Sequence, residues 1–120
     1  MNTTARINHI LQPDGKTIIL AMNHAANFNT LPALQNPKKL VREVASAGAD
    51  AFLSTVGMAE HLTDSFLGKG IIVRTAGGVS FLGDRSKAMK ITVTAEDLAR
   101  MGAESVIPMS FPGSKFENEY

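Results

Sequence analysis

Short apolar runs recur along the chain, and each ends in a polar cluster. The first, TIILAM at residues 17–22, is apolar on both sides of an extended segment and runs into Asn23-His24. A run without alternation suits a parallel strand buried on both faces. Asp14-Gly15 is a turn signal just ahead of it. The pattern returns at residues 49–53, which end at Ser54-Thr55, and at 71–73, which end at Arg74-Thr75 and Gly77-Gly78. It returns again at 105–109, which end at Ser110-Phe111-Pro112-Gly113-Ser114.

Between these runs the apolar spacing is helical. Leu40, Val41, Val44, Ala45 and Ala47 form a stripe that Asn36-Pro37 opens and Gly48 closes. Met58, Leu62, Ser65 and Phe66 form a second over 58–67, closed by Gly68. Thr94 with Asp97 resembles a capping box and starts a third helix that ends at Gly102. Ser114 reads as the N-cap of a fourth over 115–120. A short stripe of Ile7, Ile10 and Leu11 predicts a helix over 5–11, a lid or brace ahead of the first strand. Residues 24–36 and the stretch around Asp84-Arg85-Ser86-Lys87 read as polar loops. The methionines at 22, 58, 89, 101 and 109 read as packing residues.

Strand followed by helix, repeated, predicts parallel βα units. There is also an internal echo: SAGADAF at 46–52 resembles RMGAESV at 100–106, each a helix end, a Gly-Ala turn, an acidic residue and a strand. The repeats lie two units apart, as the alternating layers of a (β/α)8 barrel would have them. The fold class expected is α/β, with four parallel βα units forming the first half of a TIM barrel as a single domain over 1–120 and the fourth helix cut short. A small open doubly wound sheet, or two chains closing one barrel, are the alternatives. A half-barrel leaves two strand edges and one face open, which invites pairing.

Composition narrows the chemistry. Hydrophobic residues make up 44% of the 120, enough for a core; the net charge is +1 and the basic residues are scattered, so neither nucleic acid nor an acidic partner is expected. With no cysteine there is no disulfide, thiolate nucleophile or cysteine-based metal site. His9, His24 and His61 have no HxH or HxxxH spacing, and neither metal nor cofactor is expected. No apolar run spans a membrane and the first residues lack a signal-peptide core, so a cytoplasmic protein is expected.

Ligands of parallel α/β folds bind at the carboxyl ends of strands. Asn23 and His24 stand there, His24 as a general acid/base or sugar-hydroxyl donor, or as a histidine holding its loop by a backbone carbonyl. Arg74 could clamp a phosphate or carboxylate, or pair with Glu60 or Asp84. Gly77, Gly78 and Ser80 offer backbone N–H groups to an anion, or form a plain tight loop. Ser114 opens a helix beside Lys115, and anion binding or simple capping would explain it.

Taken in order, DGKTIILAMNHAANF, ASAGADAFLSTVGMA, IIVRTAGGVSFLG and RMGAESVIPMSFPGSKFENE resemble the first half of the archaeal-type class I fructose-bisphosphate aldolase family, whose superfamily includes the phospho-autoinducer-2 thiolase branch. The resemblance implies a (β/α)8 barrel, a Schiff-base lysine and a phosphorylated ketose or dicarbonyl substrate. It places catalytic positions at Asn23, His24 and Phe111, and substrate contacts at Arg74 and the fourth strand end. Two positions depart from the family pattern. Asn23-His24-Ala25 stands where Asp-His-Gly is usual, so an amide that cannot titrate replaces a carboxylate. Phe111-Pro112-Gly113-Ser114 stands where the aldolases have Tyr-Pro-Gly-Ser, so the phenol is lost.

The family's lysine lies on the sixth strand, past the residues present here. An imine-forming lysine must be desolvated to be neutral and nucleophilic. Lys16, Lys38, Lys39, Lys69, Lys87, Lys90 and Lys115 all fall in turns, helix starts or polar loops. The function expected is therefore an aldolase-family chain acting on or binding a small phosphorylated ketose, catalytically incomplete as it stands and homo-oligomeric. A non-catalytic, self-associating half-barrel is the alternative, and a flavodoxin-like regulator a third.

Overall fold

Four of the apolar runs form one parallel sheet, but the first and last of them are not buried on both faces as their lack of a polar side predicts. The computed structural model describes residues 3–28, 30–77 and 89–119. In chain order its strands are β1 (Ile19–Ala21), β2 (Ala51–Ser54), β3 (Gly70–Arg74), β4 (Ala76–Gly77), β5 (Lys90–Ile91) and β6 (Ser105–Ile107). The helices are α1 (Thr3–Ile7), α2 (Pro37–Ser46), α3 (Val56–Leu62) and α4 (Ala95–Arg100). The main sheet runs β1-β2-β3-β6, every pair parallel, and β4 and β5 form a separate antiparallel hairpin.

This order separates a barrel arc from a doubly wound sheet. Right-handed crossovers between neighbours taken in sequence put every helix on one face; a doubly wound sheet reverses direction to cover both. The register agrees with the arc. Leu20, Phe52, Ile71 and Val73 share one face and pack against Val41 and Ala45 of α2, Ala59 and Leu62 of α3, Phe66, and Leu98 of α4. Phe52 and Phe66 meet at 5.3 Å between ring centroids. The opposite face carries Ile19, Ala21, Leu53, Ile72 and Ile107, and joins neither buried cluster. Ile19 is 42% exposed and Ile107 40%. The chain has the fold of a half TIM barrel, with the would-be barrel interior open.

The amino-terminal segment braces the bottom of this open face. Arg6 Nη1 donates to the Ala103 carbonyl at 2.7 Å, and His9 Nδ1 lies 3.1 Å from Glu104 Oε1. The brace crosses so near β3 that a Cβ on Gly70 would stand 2.6 Å from the His9 carbonyl oxygen.

The echo seen in the sequence has a structural counterpart. Gly48 and Gly102 both close helices with positive φ, at 114° and 92°. The acidic residue that follows then clasps the start of the neighbouring strand. Asp50 N–H donates to the Ile18 carbonyl while its carboxylate accepts the Ile18 N–H. Glu104 N–H donates to the Ile71 carbonyl while its carboxylate accepts the Ile71 N–H.

Several elements differ from the sequence reading. The brace is helical only over Thr3–Ile7, because Ile10 is drawn out of the stripe to pack under the sheet. Residues 24–36, read as loop, hold 3-10 turns at His24–Ala26 and Pro32–Leu34, the second burying Leu34. The second helix starts two residues early, at Val56, capped by Thr55. β6 stops before Pro108, which has no N–H for the ladder. No helix starts at Ser114: residues Glu117–Glu119 form a single 3-10 turn, and the Glu117 carboxylate, not the serine, takes a backbone N–H, from Gly113 at 2.7 Å. Met22 and Met89 are buried, but Met101 is 36% exposed and is not core.

Candidate active site

The carboxyl ends of β1, β2 and β3 meet the β4–β5 hairpin around a cavity of about 220 Å³. Its lining is Ala26, Thr55, Val56, Gly57, Arg74, Ala76, Gly77 and Thr92. Each arrives for a local reason. Met22 is fully buried after β1, so the chain turns at once into the 3-10 turn that carries Ala26 to the rim. Thr55 ends β2 on the open face and accepts the Met58 N–H at 3.3 Å, which fixes its side chain as the cap of α3. Arg74 ends β3 on the same face, in register with Ile107. The hairpin folds over it because Thr92 N–H and Oγ1 both donate to the Thr75 carbonyl, at 2.9 and 3.1 Å.

Arg74 is the charged group of the cavity. It is only 4% exposed. Its Nη2 lies 3.2 Å from the Met89 sulfur, while Nε and Nη1 are buried without a partner among the described residues. Burial pulls its pKa below the ordinary arginine value, though a guanidinium stays charged at any working pH. Glu60, one expected partner, is not among its contacts, and Asp84, the other, lies outside the described residues. A thioether is a weak acceptor, and among the described residues the lining holds no carboxylate. Chemically the cavity offers a cation, two hydroxyls and apolar walls.

The other expected residues are spread around this mouth. Asn23 begins the first turn and makes no side-chain cap; His24 is half-buried in that turn, and neither lines the cavity. Gly77 lines it from β4. Gly78 and Ser80 lie outside the described residues. Phe111 is 40% exposed on the loop after β6. Ser114 is half-buried with its hydroxyl unpartnered, and Lys115 is exposed with Nζ 4.8 Å from the Phe116 ring centroid. So Arg74 and Gly77 come together, while His24, Phe111, Ser114 and Lys115 stand apart from the cavity lining. Thr55, Gly57 and Thr92 were not anticipated. Among the described residues no lysine is buried, and no three His, Asp or Glu side chains gather as a metal site. No helix among them is long and apolar enough to cross a membrane.

Comparison with known proteins gives this geometry a context. No protein-family model matches the chain. It is 31% identical over 103 residues to the 2-amino-3,7-dideoxy-D-threo-hept-6-ulosonate synthase of Halobacterium salinarum, covering 86% of this chain and 38% of that protein. It is 28% identical over 121 residues to the class 1 fructose-bisphosphate aldolase of Thermoproteus tenax, covering 97% of this chain and 45% of that one. The structure of a Schiff-base-forming fructose-1,6-bisphosphate aldolase superposes with a TM-score of 0.80 at 26% identity, over 98% of this chain and 48% of its own. The chain thus spans about half the length, or less, of the proteins it matches.

Proposed function

From a chain related in sequence and fold to the amino-terminal half of the archaeal class I fructose-bisphosphate aldolase family, we propose a function in binding a small phosphorylated ketose at the carboxyl ends of β1 to β3. The observation that carries the reading is the convergence of three strand ends, with one buried cation, on a single small cavity. Ligands of this architecture sit at that end of the strands. Arg74 and Gly77 face the phosphate; Asn23 and His24 face the sugar hydroxyls from the β1 side; Phe111, Ser114 and Lys115 bound the mouth on the β6 side. The sequence expectation for Gly78 and Ser80 lies outside the described residues.

The chain by itself binds and does not turn over. Carbon–carbon cleavage through an imine needs a desolvated lysine, and among the described residues no lysine is buried. Asn23 and Phe111 have no proton to relay where the family pattern has a carboxylate and a phenol. The reading includes a second copy of the chain as partner, covering the open face, and a cytoplasmic setting.

The test is calorimetric titration with fructose 1,6-bisphosphate, followed by borohydride reduction of the mixture and intact-mass analysis. Saturable binding without a mass increase is expected. A reduced covalent adduct would overturn the catalytic incompleteness, and peptide mapping would name its lysine. No binding of any ketose phosphate would overturn the reading itself.

A further inference from the structure

Arg74 carries a charge that the described structure leaves without a counter-charge. A buried ion without a partner costs several kcal/mol after relaxation, and a group that expensive is kept where something pairs with it. The cavity beside it is several times the ~30 Å³ share of one water. It is also below the roughly 300–1,000 Å³ of pockets that enclose a whole drug-sized ligand. That size suits one end group of a ligand. The lining adds hydroxyls from Thr55 and Thr92 and, among the described residues, no anionic group.

We propose that Arg74, Thr55 and Thr92 form a binding site for a single tetrahedral oxyanion of the phosphate-monoester class, and that its occupancy fastens the β4–β5 hairpin over the end of β3. The hairpin follows from the connections already present. Met89, which precedes β5, meets Arg74 Nη2 with its sulfur at 3.2 Å. Thr92, which follows β5, holds the Thr75 carbonyl next to Arg74. An oxyanion on the Nε and Nη1 donors, which have no partner among the described residues, takes the Thr92 hydroxyl proton in place of the Thr75 carbonyl, which the Thr92 N–H still holds, and so ties β3 and the hairpin into one unit. This deepens the sugar-phosphate reading and rests on it only for the organic part of the ligand.

The experiment uses inorganic phosphate as probe, with chloride at matched ionic strength as control, and follows thermal unfolding together with amide hydrogen exchange of the hairpin. Phosphate raises the melting temperature saturably and slows exchange at residues 76–77 and 90–92; chloride does neither. Arg74→Met abolishes both responses. It also unfolds no more easily than the unsubstituted chain in chloride, because replacing an uncompensated buried charge by a hydrophobe of similar volume is neutral or stabilising. Arg74→Lys retains a response about tenfold weaker in phosphate affinity, since a point charge replaces the planar fork.

Three results would overturn the proposal. Equal phosphate responses in the Met variant would mean surface binding elsewhere. A strongly destabilised Met variant with no phosphate response in the unsubstituted chain would mean that the protein supplies the counter-charge. Ketose phosphate binding unchanged by Arg74→Met would remove the anion site and leave the sugar reading standing. Conversely, a phosphate response lost in the Met variant, with no gain from the sugar over inorganic phosphate, would keep the anion site and remove the sugar reading.

Discussion

At the scale of single residues, the two acidic positions of the internal echo do the same work. Asp50 and Glu104 each follow a Gly-Ala turn, and each exchanges two hydrogen bonds with the residue that starts the adjacent segment. Both carboxylate bonds are 2.7 Å, short as charge-assisted bonds are. A parallel ladder has no tight turn to set its register, so a clasp at the strand entrance fixes it instead. Bonds to charged groups contribute roughly 1.5–3 kcal/mol when buried. These are partly open to solvent, so Asp50→Ala and Glu104→Ala are each expected to cost about 1–2 kcal/mol in urea unfolding. Glu104→Ala should cost the more, because it also frees His9 from the brace. Equal stability of both variants with the unsubstituted chain would show the clasp to be incidental. The repeat was legible in the letters; the bonds were not, since the sequence does not say which strand lies beside which. Arg74 was limited in another way: its position at a strand end could be read, but not that Glu60 would fail to meet it.

At the scale of elements, the strands were read from their apolar runs to within a residue or two, and helix starts from Asn36-Pro37 and Thr94. Asn36 accepts the Lys39 N–H and Thr94 the Asp97 N–H, as the capping signals predict. The β4–β5 hairpin was missed although its signal was present. Met89, Ile91 and Val93 alternate with Lys90, Thr92 and Thr94, a period of two that marks a strand. The charged stretch before it drew the reading toward loop. The fourth helix failed for the opposite reason, since a serine before a charged segment is a start signal with no apolar stripe behind it to be buried. The brace supplies a test at this scale. Gly70 has room for no side chain, because a Cβ would meet the His9 backbone at 2.6 Å and the Ala51 Cβ at 3.1 Å. Gly70→Ala should therefore destabilise by about 1–3 kcal/mol through overpacking. Deleting residues 1–9 in the Gly70→Ala background should recover part of that loss. If deletion deepens the loss instead, the clash is not with the brace.

At the scale of the whole molecule, the four-stranded sheet has one face under helices, while the described residues cover the other only with the brace at its bottom and the hairpin at its top. Between brace and hairpin this face carries Ile19, Ala21, Leu53, Ile72 and Ile107, and among the described residues β1 and β6 each leave one edge unpaired. Exposed apolar area of this kind, rimmed by open strand edges, favours association. Eight parallel strands close a barrel of this type, and a two-fold axis along the barrel would set β6 of each copy beside β1 of the other, parallel in both places. All contacts would then be satisfied in a closed dimer, with no free surface left to build a filament. Light scattering on a sizing column should give twice the chain mass. Ile107→Lys puts a charge on the edge strand inside the closure and should return the protein to a monomer, while Arg100→Glu, on the helical side, should not. A compact monomer at high concentration would sink the closure. It would then fall to the missing strands of a longer relative, and not to a second copy, to cover the face on which the strand-end site opens.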